Sequence, residues 1–520
     1  MYMLRMIAIF LLISSAGIST FAEEAPSPTD VAPVQAIQFV GNTVLTSDEL
    51  NAVTGIKPGE PLTVNVLGDA IKKIEDAYSE RGYVSDFVYY EILGVQPPRT
   101  LIFHIRELRV AEVRVTGLVH TREDTVHRFV QVKPGDLYNQ QAIQRSVARL
   151  NELGIFSEIQ GFLQEGTQPG QAIVVIQVKE AKIQRVDLGG SYSPEGRLIG
   201  QVTYTHLNLF GRAQQLIASV NAGTIGGKIG GQVTYLNPLV GGPDTTLLAR
   251  AFSDVNFRFS EALVNGEARY FERRTGAQAI LTRPAGTAKT LSYGLRYENT
   301  TVENLPVSLL TTDLSSGKVF MSSGRLVQDR RLILILPASG NYLAGALEAG
   351  YSSPDVGGAS GIAKGQFERR WYIPLRAITP AELDSENPRP TRTLAIRLSA
   401  GTSTGKLPFF EQYFVGGMNN LRGYRESRFW GRDFLIFNTE LRWPMSRQFL
   451  GVLFVDVGDA WDSDYLFSVP ASTDFSQHKT FSPRAGAGVG IWWVTDLGVL
   501  RLDYAHGEAN RLHFAVGESF

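Results

Sequence analysis

Cysteine is absent from all 520 residues, so neither a disulfide framework nor a thiolate metal site can form. No stretch approaches the roughly 20 consecutive apolar residues that a membrane-spanning helix requires. Net charge is −1, so nothing suggests a nucleic-acid surface. The seven histidines are dispersed, without an HExxH pair or other metal-ligand spacing, and no P-loop occurs. These absences argue against a zinc hydrolase, a nucleotide hydrolase and a helical membrane protein. The sequence is therefore read as having no catalytic residue, no cofactor and no metal site.

What is present suits strands and turns: 43% hydrophobic residues, 10% aromatics and 52 glycines. The first residues read as an export signal. Arg5 gives a basic start, Met6 to Ile13 form an unbroken apolar core, and Thr20-Phe21-Ala22 is a small-x-small cleavage site. The apolar run is too short to cross a bilayer, so a removable signal over 1–22 is expected rather than an anchor; the alternative is a buried N-terminal helix. Residues 23–33 are Pro-rich and read as flexible.

Residues 34–108 and 109–182 repeat one pattern. Gly41 and Gly117, like Lys57-Pro58-Gly59 and Lys133-Pro134-Gly135, stand 76 residues apart. Each module reads strand–helix–helix–strand–strand. Thr46 with Glu49, and Thr121 with Asp124, sit like helix N-caps with an acid in the first turn. Leu67, Ile71, Ile74 and Tyr78 fall on one helical face, as do Ile143, Val147 and Leu150. Alternating strands close each module, at Leu101–Ile105 and Ile173–Val178. A three-stranded sheet backed by two helices fits each length.

From Gln184 to Phe520 the pattern changes to segments of about ten residues with period-2 alternation, separated by Gly, Pro, Asn, Asp and Ser clusters. Membrane barrel strands have this form, apolar outside and polar toward the lumen. Leu394, Ile396, Leu398 and Ala400 oppose Ala395, Arg397 and Ser399; Leu435, Phe437, Thr439, Leu441 and Trp443 oppose Ile436, Asn438, Glu440 and Arg442; Leu500, Leu502 and Tyr504 oppose Arg501 and Asp503. Trp443, Trp461 and Trp492-Trp493 near segment ends read as interfacial girdles. At about 21 residues per strand and turn, this length makes roughly 16 strands. A soluble β-sandwich is the alternative. Gly401-Thr402-Ser403-Thr404-Gly405 matches a nucleophile elbow as a string, but no helix pattern follows, so a barrel loop is the reading. Gly486, Gly488 and Gly490 read as room for close packing or lumen space.

The paired modules resemble POTRA domains, periplasmic modules that bind unfolded clients, though spacers or adaptor docks remain open. The segment Phe409–Tyr424 (FFEQYFVGGMNNLRGY) resembles the signature loop of the BamA/TamA superfamily, which joins POTRA domains to a 16-stranded barrel. The motif is Leu421-Arg422-Gly423-Tyr424, preceded by Gly416-Gly417; Asn208-Leu209-Phe210-Gly211 is similar to the family's early turn and Leu453–Gly458 to its late strand. The last strand, Arg511 to Phe520, has Leu512, Phe514, Val516 and Phe520 on one face; with Gly517 it resembles the C-terminal signal by which outer-membrane barrels are themselves assembled.

The resemblance implies an outer-membrane assembly factor with its POTRA domains in the periplasm. Unfolded outer-membrane or secreted polypeptides would be its clients, outer-membrane lipid its surroundings, and periplasmic or lipoprotein partners are further candidates. Clients would be inserted or translocated, without nucleotide, at a seam between the first strand (Gln184–Tyr192) and the last. Two POTRA domains instead match two-partner secretion transporters of the FhaC/ShlB type, which pass a polypeptide through the lumen. Those begin with a plug helix, for which 23–33 is too short. In the family the signature loop folds into the lumen. Alternation places Glu440 and Asp456 on the lumen face of consecutive strands, roughly diagonal to each other, so Arg422 is expected to reach both.

Overall fold

In a computed structural model, the described residues are 33–520 apart from 95, 97, 194–196, 224–228, 242–243, 259–269, 304–315, 334–335, 356–357, 384–389, 466–478, 496–497 and 518–519. The signal segment 1–22, and all of 23–33 but its last residue, lie outside them. Packing divides the chain into two compact units. Among the described residues, one holds 33–116 with 130–147 and 160–177; the other holds 117–129, 148–159 and those from 178 on.

The first module runs β1 (Ala36–Val40), α1 (Ser47–Thr54), α2 (Val64–Glu80), β2 (Ser85–Leu93) and β3 (Thr100–Glu107). Central β3 lies parallel to β1 and antiparallel to β2, which leaves β2 at a sheet edge. Thr46 and Glu49 form the expected capping box on α1. Leu67, Ala70, Ile74 and Tyr78 of α2 are buried against the sheet, with Ile71 partly buried beside them. The second module repeats the order: β4 (Arg109–Thr116), α3 (Glu123–Phe129), α4 (Gln140–Glu152), β5 (Phe156–Glu165) and β6 (Gln171–Glu180), with sheet order β4-β6-β5.

The repeated glycines have one cause. A Cβ on Gly41 would lie 2.2 Å from the Ile105 carbonyl oxygen, and one on Gly117 would lie 1.9 Å from that of Val178. Both also have φ near +90°. The loop thus lies directly on the central strand, and an acid at that strand's end receives it. Glu107 accepts from the Thr43 and Val44 N–H groups, at 2.6 and 2.9 Å, and from the Tyr78 hydroxyl. Glu180 accepts from the N–H groups of Val119, His120 and Thr121, at 3.2, 3.0 and 2.7 Å. Burial alone would raise both carboxyls, but the donors from Thr43 and Val44 hold Glu107 below its ordinary value. Those from Thr121, Val119 and His120 bring Glu180 down to about 2.

Thr121 departs from the N-cap expectation. Helix α3 starts two residues later, on the Arg122 carbonyl that accepts from Thr125 N–H. The Thr121 hydroxyl instead accepts from Asn208 Nδ2 at 2.8 Å. Asn208 opens the turn that ends at Gly211, whose Cβ would sit 2.4 Å from the His120 carbonyl oxygen. This early turn is therefore packed at both ends within the second compact unit, while Phe210 between them is exposed.

The remaining strands are β7 (Gln184–Ser193), β8 (Arg197–Leu209), β9 (Gln214–Gly223), β10 (Ile229–Asn237), β11 (Thr246–Arg258), β12 (Tyr270–Pro284), β13 (Lys289–Glu303), β14 (Gly317–Asp329), the two-residue β15 (Leu332–Ile333), β16 (Pro337–Pro354), β17 (Ser360–Pro374), β18 (Thr393–Gly405), β19 (Tyr413–Val415), β20 (Phe429–Gly431), β21 (Asp433–Pro444), β22 (Phe449–Trp461), β23 (Arg484–Thr495), β24 (Gly498–His506) and β25 (Arg511–Val516). Sixteen of them, with β15 as a short accessory, form one closed barrel in which β25 neighbours β7; β19 and β20 pair separately. Among the described residues no helix is long and apolar enough to cross a membrane; the crossing is made by strands.

Strand β13 shows the facing rule: Tyr293, Leu295 and Tyr297 are about half exposed outside, while Glu298 and Thr300 are buried inside. Three expectations change. Trp492 does not join an outer girdle; it is fully buried inside while Trp493 is exposed, because neighbouring strand residues face opposite sides. The segment 401–405 is not a loop but the end of β18, and the Ser403 hydroxyl donates to the Arg432 carbonyl. The last strand is also shorter than expected. It stops at Val516, followed by Gly517 at φ 105°. Phe520 then departs from the shared face: Leu512 and Phe514 are exposed, whereas Phe520 is buried against Tyr372 and Ala395, its carbonyl accepting from the Tyr372 hydroxyl at 2.8 Å.

Candidate functional site

The signature loop folds inward between β19 and β20. Its tip is a closed turn: Gly417 and Leu421 exchange backbone hydrogen bonds of 3.2 and 3.1 Å, and Gly416 N–H donates to Asn420 Oδ1 at 2.7 Å. Gly416, Gly417 and Gly423 have φ of 126°, 98° and 90°, values that side chains beyond glycine rarely adopt. Tyr413, Val415, Leu421 and Phe429 pack on Phe434 and Ile436 of β21, which gives the loop an apolar footing. Tyr424 joins that cluster and its hydroxyl donates to the Ala485 carbonyl.

On this footing Arg422 is brought to the wall. Its Nε and Nη2 donate to the two oxygens of Asp456, at 2.7 and 2.8 Å, and its own backbone N–H donates to Asp456 Oδ2 at 3.1 Å. Nη1 lies 2.9 Å from Glu440 Oε1. The expected fork to both acids is therefore present, and the register explains it. Asn438 is opposite Asp456 and Glu440 opposite Phe454, so the two carboxylates are diagonal neighbours. Leu441 and Val455 face outward as alternation requires.

Several partners were not singled out in the sequence. Asp503 of β24 lies 3.5 Å from Arg422 Nη1, and Trp492 Nε1 donates to its other oxygen at 2.8 Å. The Phe454 ring lies under the guanidinium, 3.5 Å from its centroid. Asn438 Nδ2 donates both to Asp456 Oδ1 and to the Asn420 carbonyl, each at 2.8 Å. Arg442 donates twice to Glu440 Oε2. All of these lie on inward-facing positions, which was the available signal; their convergence needed the register and the loop path.

The site is dry. Only 2% of the Arg422 side chain and none of Glu440 or Asp456 is exposed. Glycines make the room. A Cβ on Gly486 would meet the Arg422 carbonyl oxygen at 1.9 Å, one on Gly488 the Phe454 ring at 2.6 Å, and one on Gly490 the Asp503 carboxylate at 2.2 Å. The alternating glycines of β23 are thus a channel into which loop and charges fit. Chemically the arrangement can fix a loop against the wall. Of the C-terminal residues read from the sequence, Phe514 is on the outer face, while Phe520 packs at Tyr372 with its ring centroid 5.5 Å from the Arg442 guanidinium.

Comparison with known proteins agrees with this architecture. A family model described as the Omp85 superfamily domain matches residues 208–520, and a POTRA model described as a surface antigen variable number repeat matches 32–108 and 108–181. The chloroplastic outer envelope protein 80 of Arabidopsis thaliana is 26% identical over 88% of this chain and 63% of its own length. The outer membrane protein assembly factor BamA of Neisseria meningitidis is 22% identical over 91% of this chain and 65% of its own. The chain therefore spans somewhat under two thirds of these relatives. Among solved structures, BamA from Haemophilus ducreyi lacking POTRA domains 1–3 aligns with a TM-score of 0.64 and 16% identity, covering 93% of this chain and 98% of that one. CdiB from Escherichia coli aligns at 0.59 and 15%, covering 96% and 91%. These two likenesses concern the fold alone.

Proposed function

This chain belongs to the Omp85 superfamily, and from that premise we propose that it is an outer-membrane protein assembly factor. In this reading it sits in the outer membrane with its POTRA modules in the periplasm. It receives unfolded outer-membrane polypeptides and helps them insert at the barrel seam without nucleotide.

The observation that carries the reading is the seam. Strand β25 has six residues, the shortest of the sixteen, where its neighbour β24 has nine and other strands have up to 18. A ladder between β25 and β7 can be no longer than the six residues of β25, so opening there breaks fewer hydrogen bonds than at a longer pair; in lipid the freed groups need a new partner, which favours capture of a client strand. An opened edge presents unpaired N–H and C=O groups that a client strand can pair with. The modules supply further edges. Strand β2 is outermost in its sheet and shows Phe87 and Tyr89 to solvent, and β5 shows Phe162 and Leu163. Extended, apolar segments would add there before reaching the barrel. Outer-membrane lipid would cover the exposed apolar belt.

Two POTRA modules also fit a two-partner secretion transporter, in which the polypeptide passes through the lumen. A seam crosslink separates the readings. A disulfide placed between β7 and β25 in this cysteine-free chain should block client assembly while the barrel stays folded. Full activity with the crosslink verified would favour passage through the lumen. Crosslinkers on β25 in living cells should capture outer-membrane clients rather than one large secreted partner.

A further inference from the structure

Arg422 holds only one end of the inward loop. Eleven positions earlier, Glu411 is also buried, at 3% exposure, and faces the opposite kind of wall. Arg296 of β13 donates to both its oxygens, Nη1 at 3.0 Å and Nη2 at 3.2 Å. Lys364 of β17 donates to its backbone carbonyl at 2.7 Å and to its carboxylate at 3.2 Å. Arg274 of β12 stands 3.9 Å from the carboxylate and donates to the preceding carbonyl, that of Phe410.

These cations are tied to the wall as well. Arg274 pairs with Glu272 and Glu298, and Arg296 with Glu298 and, at 3.8 Å, Glu348. Register explains the grouping: Gly276 is opposite Glu298 and Gln278 opposite Arg296, so these inward positions of β12 and β13 are near neighbours. Beside the charges, Leu407 and Phe410 cover Val319, Met321 and Ile362, an apolar patch on the inner wall.

We propose that Glu411 is a second positioning residue, docking the loop stem on the β12–β17 wall. The loop is then a strut across the lumen, its stem an acid among bases and its tip a base among acids. Three wall cations gather around one buried carboxylate, and removing one partner of a buried ionic group leaves the rest uncompensated. The bidentate Arg296 contact fixes direction as well as distance. The two ends dock on different strands, Glu411 on β12, β13 and β17 and Arg422 on β21, β22 and β24, so each can be released separately.

The test uses the purified full-length chain and needs no client, so its failure would not bear on the assembly reading. Ion current is recorded across planar lipid bilayers in potassium chloride, and loop cleavage by proteinase K is timed. Heat-modifiable migration on gels reports the folded barrel. Glu411→Lys should raise open-channel occupancy and cleavage rate by about a hundredfold, the factor implied by breaking a buried pair. Glu411→Gln keeps the shape and should raise them by about tenfold. Pairing Glu411→Lys with Lys364→Glu should bring both back toward wild type, which a merely space-filling role would not produce. Wild-type current and protection in folded Glu411→Lys, or a double exchange no better than the single, would overturn the proposal. Should Glu411→Lys fail to fold, Glu411→Gln decides alone, and wild-type behaviour in it overturns the proposal too.

Discussion

Loops are clamped by charge in both the modules and the barrel, but with the roles exchanged. In the modules a carboxylate at the end of a central strand gathers backbone N–H groups: Glu107 takes those of Thr43 and Val44, and Glu180 those of Val119 to Thr121. In the barrel a guanidinium on the loop gathers carboxylates of the wall. The module clamp is satisfied by the shape of one short loop and one acid, so it can be repeated, the loop after 76 residues (Gly41 to Gly117) and the acid after 73 (Glu107 to Glu180). The barrel clamp joins Arg422 to acids up to 81 positions away on three strands. It requires side chains from each, and works because water is excluded. A backbone clamp tolerates sequence change in the loop. A side-chain clamp does not.

The comparison is broken most severely by reversing charge in the barrel. Asp456→Arg sets two guanidiniums together in a dry site, and the cost should be about 5 kcal/mol. The loop should become cleavable by protease in folded barrels. The exchange Arg422→Asp with Asp456→Arg should restore part of the protection. Removing the cation is milder. Arg422→Ala should cost about 3 kcal/mol, because Glu440 keeps Arg442, Asp503 keeps Trp492 and Asp456 keeps Asn438. Membrane-inserted barrels should still form, with an exposed loop and lowered assembly activity. Arg422→Lys should rescue in part, since a point charge cannot reproduce the fork to Asp456. Wild-type loop protection in Arg422→Ala would show that another contact holds the tip.

The module clamp should respond less, and to pH. Glu180→Gln should cost about 1–3 kcal/mol locally, read as faster amide exchange at Val119 to Thr121 after correction for intrinsic rates. In the native protein Glu180 is lowered from 4.5 to about 2. Its contribution is therefore complete above 4.5 and is lost as pH falls from there through about 2. Glu180→Gln should abolish that dependence; protection unchanged across this window in the native chain would refute the clamp. The smallest effect is expected at Trp492→Phe, about 1 kcal/mol, since Asp503 retains Arg422. It should appear as a small fall in barrel melting temperature with the loop still protected.

Much of this was legible residue by residue. The glycine and Lys-Pro-Gly spacing exposed the repeat, and the helical faces at Leu67–Tyr78 and Ile143–Leu150 supplied each module's core. Alternation at 435–443 and 499–505 sorted inward from outward residues. Even the diagonal of Glu440 and Asp456 followed from counting back from one turn. The departures from local pattern share a cause. Thr121 looked like a cap because its sequence neighbours were right, but its hydroxyl was taken by Asn208, 87 positions away. The position of Trp492 along its strand suits a girdle, but its face of the strand is the inner one. Alternation alone carries the last strand on to Phe520, whereas Gly517, at φ 105°, turns the chain away after Val516.

The sequence by itself determined what is local and periodic: two sheet-and-helix modules, about sixteen alternating strands, and which side chains face inward. Those follow from periods of 2 and 3.6 residues and from glycine positions that no other residue can fill. Only the tertiary structure decided what those inward residues meet. Asp503, Phe454 and Asn438 converge on Arg422, and Arg296 and Lys364 on Glu411, because barrel closure and register bring distant strands around one loop. No period in the chain encodes that, since contacts across a lumen depend on where the loop crosses it and on which strands stand there.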